Sequence, residues 1–343
     1  MKLIEKKHTR AIALLLTASA LLGLLCGCGA TEETIDFSAN GAEAVVYAPE
    51  NYVEPVTLEG IDLTVEAESL SLGPVSLASG ITPTASGTKT KSDNDAVIDY
   101  SNTADGYVMV QYKKSITNKL KVQVVGPTTT YSYNIDPQTW VSLPLSDGNG
   151  SYQIAVYKNV QDSKYALLVS VTVSVTLKDE FAPFLTSNQY VNYAAAPNTV
   201  ARAAELTKNC KTTMEKIKAV YEEVVAMTYD KTKATTVTSG YLPNLDAVLA
   251  AKTGICFDFA SLMTGMLRSQ GIPCKLVVGY AGTTYHAWIN VYTEENGWVN
   301  SAIYFDGTTW QRMDPTFASS GKQSTAVMTY IGTGSNYTAK YYY

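Results

Sequence analysis

The sequence predicts an α+β fold in which a small all-β region precedes a mixed domain of helices and strands. Between residues 107 and 177, short segments rich in β-branched and aromatic residues alternate with turn clusters, a pattern typical of small β-sandwiches. After Pro183 the apolar residues recur at every third and fourth position, which is the period of an amphipathic helix. The change of period places a domain boundary near residue 180.

Residues 96–180 are predicted to form a small β-sandwich-like domain. Its strands are expected at residues 107–112, 120–125, 129–135, 140–145, 152–157 and 166–177. This stretch contains no cluster of titratable residues, so we expect the domain to support or present its neighbour.

Residues 181–343 are predicted to form the second domain. Helices are expected over residues 198–208, 212–225 and 243–251, with Thr212 as an N-cap. A further helix has Cys256 in its first turn and ends before Gly271, the position where a C′ glycine is favoured. Strands are expected to follow at residues 275–280, 285–292, 298–305 and 310–314.

The amino-terminal residues combine a basic start with a short apolar run. A helix over residues 11–25 would span about 22 Å, less than the ~30 Å hydrocarbon core of a bilayer. The run ends in Leu25-Cys-Gly-Cys28, which resembles the lipobox of bacterial lipoproteins. We therefore expect residues 1–27 to be a signal peptide and lipid on Cys28 to anchor the chain outside the cytoplasm, at the cell membrane. The alternative is a plain signal peptide cut near Ala30.

Residues 28–95 are predicted to be a mostly disordered tether. From Ser69 to Asp95 more than half of the residues are Ser, Thr, Gly or Pro. Such a composition buries too little apolar surface to offset the entropy lost on ordering.

Charge and histidine content exclude two classes of function. Lys and Arg number 26 against 31 Asp and Glu, and the net charge of −5 provides no basic surface for nucleic acid. With only two histidines, His8 and His286, a histidine-cluster metal site is excluded. The sequence also has no EF-hand loop and no clustered acidic ligands. We therefore expect no cofactor and no metal.

The cysteines point to thiol chemistry. Besides Cys28 the mature chain would contain Cys210, Cys256 and Cys274, and three thiols cannot all pair. One disulfide among them is the alternative. Cys256 stands out because the start of a helix offers a positive dipole and unpaired amide donors, which favour a thiolate and stabilise an oxyanion.

A cysteine nucleophile needs a base and a group that orients that base. His286 is the one histidine of the mature chain, so Cys–His chemistry must use it. Asp314, just before Pro315, lies at the end of a later predicted strand and is a carboxylate that could hold the imidazole in one tautomer. Tyr241 is a further candidate, as a second oxyanion donor.

Four segments resemble the transglutaminase-like superfamily. They are Gly254-Ile-Cys256 at a helix start, residues 271–280, His286-Ala-Trp288 and Asp314-Pro-Thr316. The resemblance covers about residues 195–317 and implies a papain-like core, in which a helix bearing the cysteine packs on an antiparallel sheet. It also implies that Cys256 is the nucleophile, His286 the base and Asp314 the orienting acid. The calcium sites of animal transglutaminases cannot be placed on this sequence.

The resemblance implies a cell-surface cysteine acyltransferase, peptidase or amidase that forms a thioacyl intermediate on amide bonds. We favour hydrolysis over amine cross-linking, because cross-linking requires a second pocket that positions an amine and excludes water. The expected partner is a peptide or protein substrate, cell-wall peptide included. The alternative is a non-catalytic surface binding or adhesion module that retains the fold.

Overall fold

The computed structural model describes residues 34–36, 80–282, 284–294, 297–299, 303–305, 310–312 and 337–343. Antiparallel sheets come first along the chain, and a mixture of helices and strands follows. The predicted α+β fold class is therefore confirmed. Within these residues, no helix is both long and apolar enough to cross a membrane.

Where the structure describes it, the chain up to Val175 is built from strands and one short 3₁₀ turn. The strands are β1 (Thr34–Asp36), β2 (Thr90–Ser92), β3 (Ala96–Asp99), β4 (Tyr107–Tyr112), β5 (Leu120–Val125), β6 (Thr130–Ile135), β7 (Val141–Pro144), β8 (Gly150–Gln161) and β9 (Lys164–Val175).

These strands form two antiparallel sheets, with the orders β1-β9-β8-β5-β6 and β2-β3-β4-β7. Ile98 and Val108 of one sheet share a buried core with Val122 and Ile154 of the other. The alternate residues Leu120, Val122 and Val124 of β5 belong to that core, as in a β-sandwich. In this arrangement β6 ends its sheet, and Asn134 of β6 lies opposite Lys121 of β5.

The predicted tether is too long at its carboxyl end, because residues 80–95 are ordered. Strand β2 pairs with β3 although all three of its side chains are exposed. The main-chain oxygen of Ile81 accepts a 2.8 Å hydrogen bond from the Tyr193 hydroxyl. The main-chain groups of a strand can form these hydrogen bonds whatever its side chains are, so a polar composition does not exclude an edge strand. Residues 37–79 and Cys28 lie outside the described residues.

The second region begins with helices. They are α1 (Pro197–Thr207), α2 (Thr213–Val225), α3 (Lys231–Thr236), α4 (Leu245–Ala251) and α5 (Cys256–Ser269). As predicted, Thr212 caps α2: its side chain accepts a 3.1 Å hydrogen bond from the Glu215 amide, while the Glu215 carboxylate accepts one from the Thr212 amide. The sequence did not predict α3, because its run of Lys and Thr has no apolar period.

Helix α5 packs on an antiparallel sheet. The strands of this region are β10 (Thr228–Tyr229), β11 (Thr253–Gly254), β12 (Cys274–Ala281), β13 (Thr284–Thr293), β14 (Gly297–Val299), β15 (Ile303–Phe305), β16 (Trp310–Arg312) and β17 (Tyr337–Tyr342). The main sheet has the order β14-β13-β12-β17, β15 pairs with β16, and β10 pairs with β11. Helix α5 lies against β12 and β13.

A cluster of tyrosines connects strand β6 to the second region. The Tyr131 ring lies 5.7 Å from that of Tyr343, and the Tyr133 ring lies 5.8 Å from that of Tyr190. Tyr190 and Tyr343 in turn meet edge to face at 4.6 Å. Aromatic pairs at such distances add to the burial of the rings. The cluster holds the edge of the sandwich beside the start of α5.

Candidate active site

Cys256 is the first residue of α5, a helix that is buried over almost its whole length. Every side chain from Cys256 to Arg268 is buried, and Cys256 itself has 1% of its surface exposed. The amide of Ile255, just before the helix, donates a 2.9 Å hydrogen bond to Asp258 Oδ2. The first-turn amides and the positive end of the helix dipole lie beside the thiol, an environment that stabilises negative charge.

Strands β12 and β13 present one face to this helix. Cys274 of β12 contacts the Thr264 hydroxyl of α5 through its sulfur at 3.6 Å, which identifies the face that packs on the helix. Cys274 lies opposite Val291, and Val291, Ile289 and Ala287 belong to the same core as α5. Because side chains alternate along a strand, Tyr285 also lies on this face.

His286 lies on the other face of β13, together with Trp288. It pairs with Gly279 across the hairpin, and 5% of its surface is exposed. Its ring stacks at 6.3 Å on that of Trp288 and meets the Tyr337 ring edge-on at 6.4 Å. Cys256 is the first residue of α5, and His286 is the third residue of β13. A direct interaction between the two side chains stays a prediction.

Two other predicted site residues, Asp314 and Cys28, lie outside the described residues. Their proposed roles therefore stay predictions. The described part of β16 ends at Arg312, two residues before Asp314.

The sequence did not single out Tyr285, which the structure places on the side of β13 nearest the thiol. Burial raises the pKa of its hydroxyl, and Tyr341, Tyr190, Tyr280 and Cys256 add to the rise. Its ring also meets that of Tyr280 edge-on at 5.3 Å. The alternation Tyr285, Ala287, Ile289 was the signal that could have identified this residue.

A buried carboxylate lies two residues after the cysteine. Asp258 is fully buried, and its oxygens accept hydrogen bonds from Lys233 Nζ and from the Tyr241 hydroxyl, each at 2.6 Å. Lys233 also donates to the Tyr241 hydroxyl at 2.7 Å. Burial and the contact with Asp258 raise the pKa of Tyr241. The Tyr241 hydroxyl thus already donates its proton to Asp258. This argues against Tyr241 as the candidate for the second oxyanion donor.

A cavity of about 40 Å³ lies between the sandwich and the start of α5. Its walls include Phe257 and Tyr285, which follow Cys256 and precede His286 in the sequence. Strands β5 and β6 contribute Lys121, Ser132 and Asn134. The all-β region therefore supplies part of the wall of this cavity, in addition to the supporting role predicted for it.

The other two cysteines lie in environments that oppose a thiolate. Burial raises the pKa of Cys274 to about 12. Burial and, to a smaller extent, Glu215 raise the pKa of Cys210. Cys210, Cys256 and Cys274 are all free thiols, so the alternative of a disulfide among them is not observed.

No group of three His, Cys, Asp or Glu side chains within the described ranges is arranged to hold a metal ion.

Comparison with known proteins identifies the second region. Residues 200–315 match the transglutaminase-like superfamily. This part of the chain is a transglutaminase-like domain. It contains Cys256 and His286, and the match extends over Asp314.

One curated relative matches about half of this chain. The uncharacterized protein YebA of Bacillus subtilis is 33% identical over 200 residues, which are 52% of this chain and 27% of YebA. The chain thus spans about a quarter of the length of that relative.

Two solved structures show a weak likeness. The periplasmic domain of TgpA from Pseudomonas aeruginosa is 17% identical with a TM-score of 0.30, over 87% of this chain and 100% of that one. Red sea bream transglutaminase is 13% identical with a TM-score of 0.27, over 66% of this chain and 53% of that one. Likenesses this distant carry no information on activity.

Proposed function

We propose that the chain is a cysteine enzyme that acts on amide or peptide bonds through a thioacyl intermediate on Cys256. The observation that carries the proposal is the position of this thiol. It begins the buried helix α5 of a transglutaminase-like domain, beside first-turn amides that can stabilise negative charge. The nearby cavity is lined by residues adjacent in sequence to Cys256 and His286.

The proposed reaction has two steps. The Cys256 sulfur attacks the carbonyl carbon of an amide, and the helix amides stabilise the resulting oxyanion. As the C–N bond breaks, His286 gives the proton taken from the thiol to the leaving amine. Water or an amine then attacks the thioester, gives its proton to His286 and frees the thiolate. Asp314 is proposed to hold His286 in the required tautomer.

We favour water as the acceptor. Water is available outside the cell, whereas an amine acceptor needs its own pocket. Consistent with the lipobox-like residues, we propose that lipid on Cys28 anchors the chain to the outer side of the bacterial cell membrane. The substrate is then a peptide or protein of the cell envelope, cell-wall peptide included.

Single substitutions of the three proposed residues test this mechanism. Cys256→Ala should lose at least about a thousandfold in turnover, and His286→Ala and Asp314→Asn at least about a hundredfold. The losses should not add in double variants, because the three residues act as one unit. Cys210→Ala, which removes a half-buried thiol of the same region, is the matched control and should keep full turnover.

Peptide cleavage and amine incorporation are assayed side by side on a peptide and peptidoglycan library. Cleavage that survives Cys256→Ala contradicts the mechanism. If Tyr285→Phe lowers turnover while His286→Ala does not, the base has been assigned to the wrong residue of β13. Amine incorporation above hydrolysis at millimolar amine overturns only the choice of acceptor. The absence of any turnover would favour the binding-module alternative.

A further inference from the structure

The carboxylate of Asp258 is the negative charge closest in sequence to Cys256. It is fully buried two residues after the thiol, on the same first turn of α5. Three donors surround it: the Ile255 amide at 2.9 Å, the Tyr241 hydroxyl at 2.6 Å and Lys233 Nζ at 2.6 Å. Lys233 is the one full positive charge among these three donors.

An uncompensated charge at this position would act against the chemistry of Cys256. A buried carboxylate near a thiol disfavours the thiolate, because like charges repel strongly where water is excluded. An adjacent ammonium cancels most of that field. The Ile255 amide and the Tyr241 hydroxyl are neutral donors, so they hold the carboxylate in place but leave its net charge unchanged.

We infer that Lys233 is a positioning residue for Cys256: by pairing with Asp258 it prevents the buried carboxylate from opposing ionisation of the nucleophile. The inference rests on the proposed function of Cys256 and adds to it a residue that does not touch the substrate. Asp258 is needed in turn because it accepts the hydrogen bond of the Ile255 amide and so fixes the start of the helix.

Lys233 also holds one wall of the cavity. Its ammonium donates to the Tyr241 hydroxyl at 2.7 Å and lies 4.4 Å from the centre of the Tyr241 ring. Tyr241 lines the cavity together with Ser239 and Gly240, which precede it. Loss of Lys233 should therefore affect both the charge beside Cys256 and the position of this segment.

Several titratable side chains contribute to the field at the start of α5. Among the described residues, they come from the helix itself, from α3, from the segment after α3, from β13 and from the segment before α1. They are Asp258, Lys233, Tyr241, Tyr285 and Tyr190, whose ring packs on Phe257 at 5.6 Å; Tyr341 of β17 and Tyr343, which follows β17, line the same cavity. Apart from the Lys231→Met control and the Cys256→Ala reference, the variants below change only the side chains of Lys233 and Asp258, so the other titratable groups are common to every sample.

The test measures ionisation of the thiol directly in the full chain. Thiolate absorbance at 240 nm is followed from pH 4 to 9 and corrected with the matching Cys256→Ala protein. Lys233→Met should raise the midpoint by about one pH unit, the size of shift that a nearby unpaired charge produces. Lys233→Arg keeps the charge and should keep the wild-type midpoint. Lys231→Met, an exposed lysine of the same helix, is the matched control and should behave as wild type.

The double variant Lys233→Met/Asp258→Asn decides the interpretation. With both charges removed, its midpoint should return to within about 0.3 units of wild type. An unchanged midpoint in Lys233→Met, or a raised midpoint that persists in the double variant, would overturn the inference. If Lys233→Met does not fold, the double variant must fold with the wild-type midpoint, and its failure to do so also counts against the inference.

The thiolate absorbance can be measured in a protein that has no activity. The proposed reaction of Cys256 and the proposed role of Lys233 can therefore fail separately. A shifted midpoint in a protein without any activity would keep the role of Lys233 and remove the proposed reaction. Turnover by the wild type with no shift in Lys233→Met would remove the role of Lys233 alone.

Discussion

The guanidinium of Arg268 donates a 2.5 Å hydrogen bond to the main-chain oxygen of Tyr343 and so ties the end of α5 to the segment after β17. Two further bonds reach the main-chain oxygens of Thr186 at 2.7 Å and Cys274 at 2.8 Å. The side chain is fully buried, and burial lowers the pKa of Arg268 to about 10. One cation thus joins three separate segments at the end of the helix that begins with Cys256.

Replacing Arg268 with Met should destabilise the fold. Three buried carbonyl oxygens would each lose a charged donor, although that of Tyr343 keeps the Leu276 amide, and we expect the free energy of unfolding to fall by about 3 kcal/mol. Urea unfolding followed by circular dichroism measures the change. Lys218→Met removes an exposed pair with Glu222 and should cost less than about 0.5 kcal/mol. A loss below about 1 kcal/mol for Arg268→Met would mean that water satisfies these oxygens.

Asp246 of α4 should give the fold part of its acid sensitivity. Its carboxylate accepts hydrogen bonds from the amides and side chains of Asn198 and Thr199, at the start of α1. Burial acts to raise the pKa of Asp246, but these hydrogen bonds outweigh burial and lower it. The stabilisation is therefore present above the unfolded-state pKa of about 3.9 and is lost as the pH falls through the lower folded-state value.

Asp246→Asn should accordingly lower the free energy of unfolding by about 1 kcal/mol at pH 7. The gap between this variant and the wild type should begin to shrink below about pH 4 and should close as the pH falls through the lower folded-state pKa of Asp246, where its carboxyl group becomes protonated. Urea unfolding of both proteins at several pH values measures this gap. Asp105→Asn, which breaks an exposed pair with Lys178, is the control. A gap that stays constant down to pH 2 would contradict the assignment.

Cys256 should react with limiting iodoacetamide near pH 7 before Cys210 and Cys274. Burial keeps Cys274 protonated, and burial together with Glu215 opposes ionisation of Cys210. Exposure alone would favour Cys210, which is half-buried, over Cys256, which is 1% exposed. Peptide mapping by mass spectrometry reads the order, with a urea-unfolded sample as the control. Earlier labelling of Cys210 would show that accessibility, and not ionisation, governs the reaction.

Lipid on Cys28 should anchor the chain. Expressed in its host, the mature protein should carry diacylglycerol on residue 28 and sediment with membranes. Cys28→Ala should abolish the added mass and the membrane retention, whereas Cys26→Ala should leave both intact. Unchanged retention in Cys28→Ala would favour the alternative of a plain signal peptide cut near Ala30.

The local features of the site followed from short stretches of sequence. The start of α5 at Cys256 could be predicted because the apolar stripe after it has a helical period and Gly271 ends it. The cap at Thr212 could be predicted because a capping box spans only four residues. The strand that carries His286 could be recognised by its β-branched and aromatic residues.

Contacts between distant segments could not be predicted in this way. Lys233 of α3 pairs with Asp258 of α5, twenty-five positions later in the chain. No local pattern identifies that pairing. Strand β17 joins β12 by main-chain hydrogen bonds, which are independent of side-chain type. The side of β13 that faces α5 depends on the register of the hairpin, and a shift by one residue would exchange Tyr285 and His286.

By itself the sequence determined the α+β class, the order of its two regions and the position of Cys256 at a helix start. Period, capping and turn formation depend on residues within a few positions of one another. The tertiary structure decided that the β-sandwich lines the cavity, that Lys233 pairs with the buried Asp258 and that Tyr285 lies on the α5 side of β13. These features depend on which distant surfaces pack together, and that choice is made by the free energy of the whole fold.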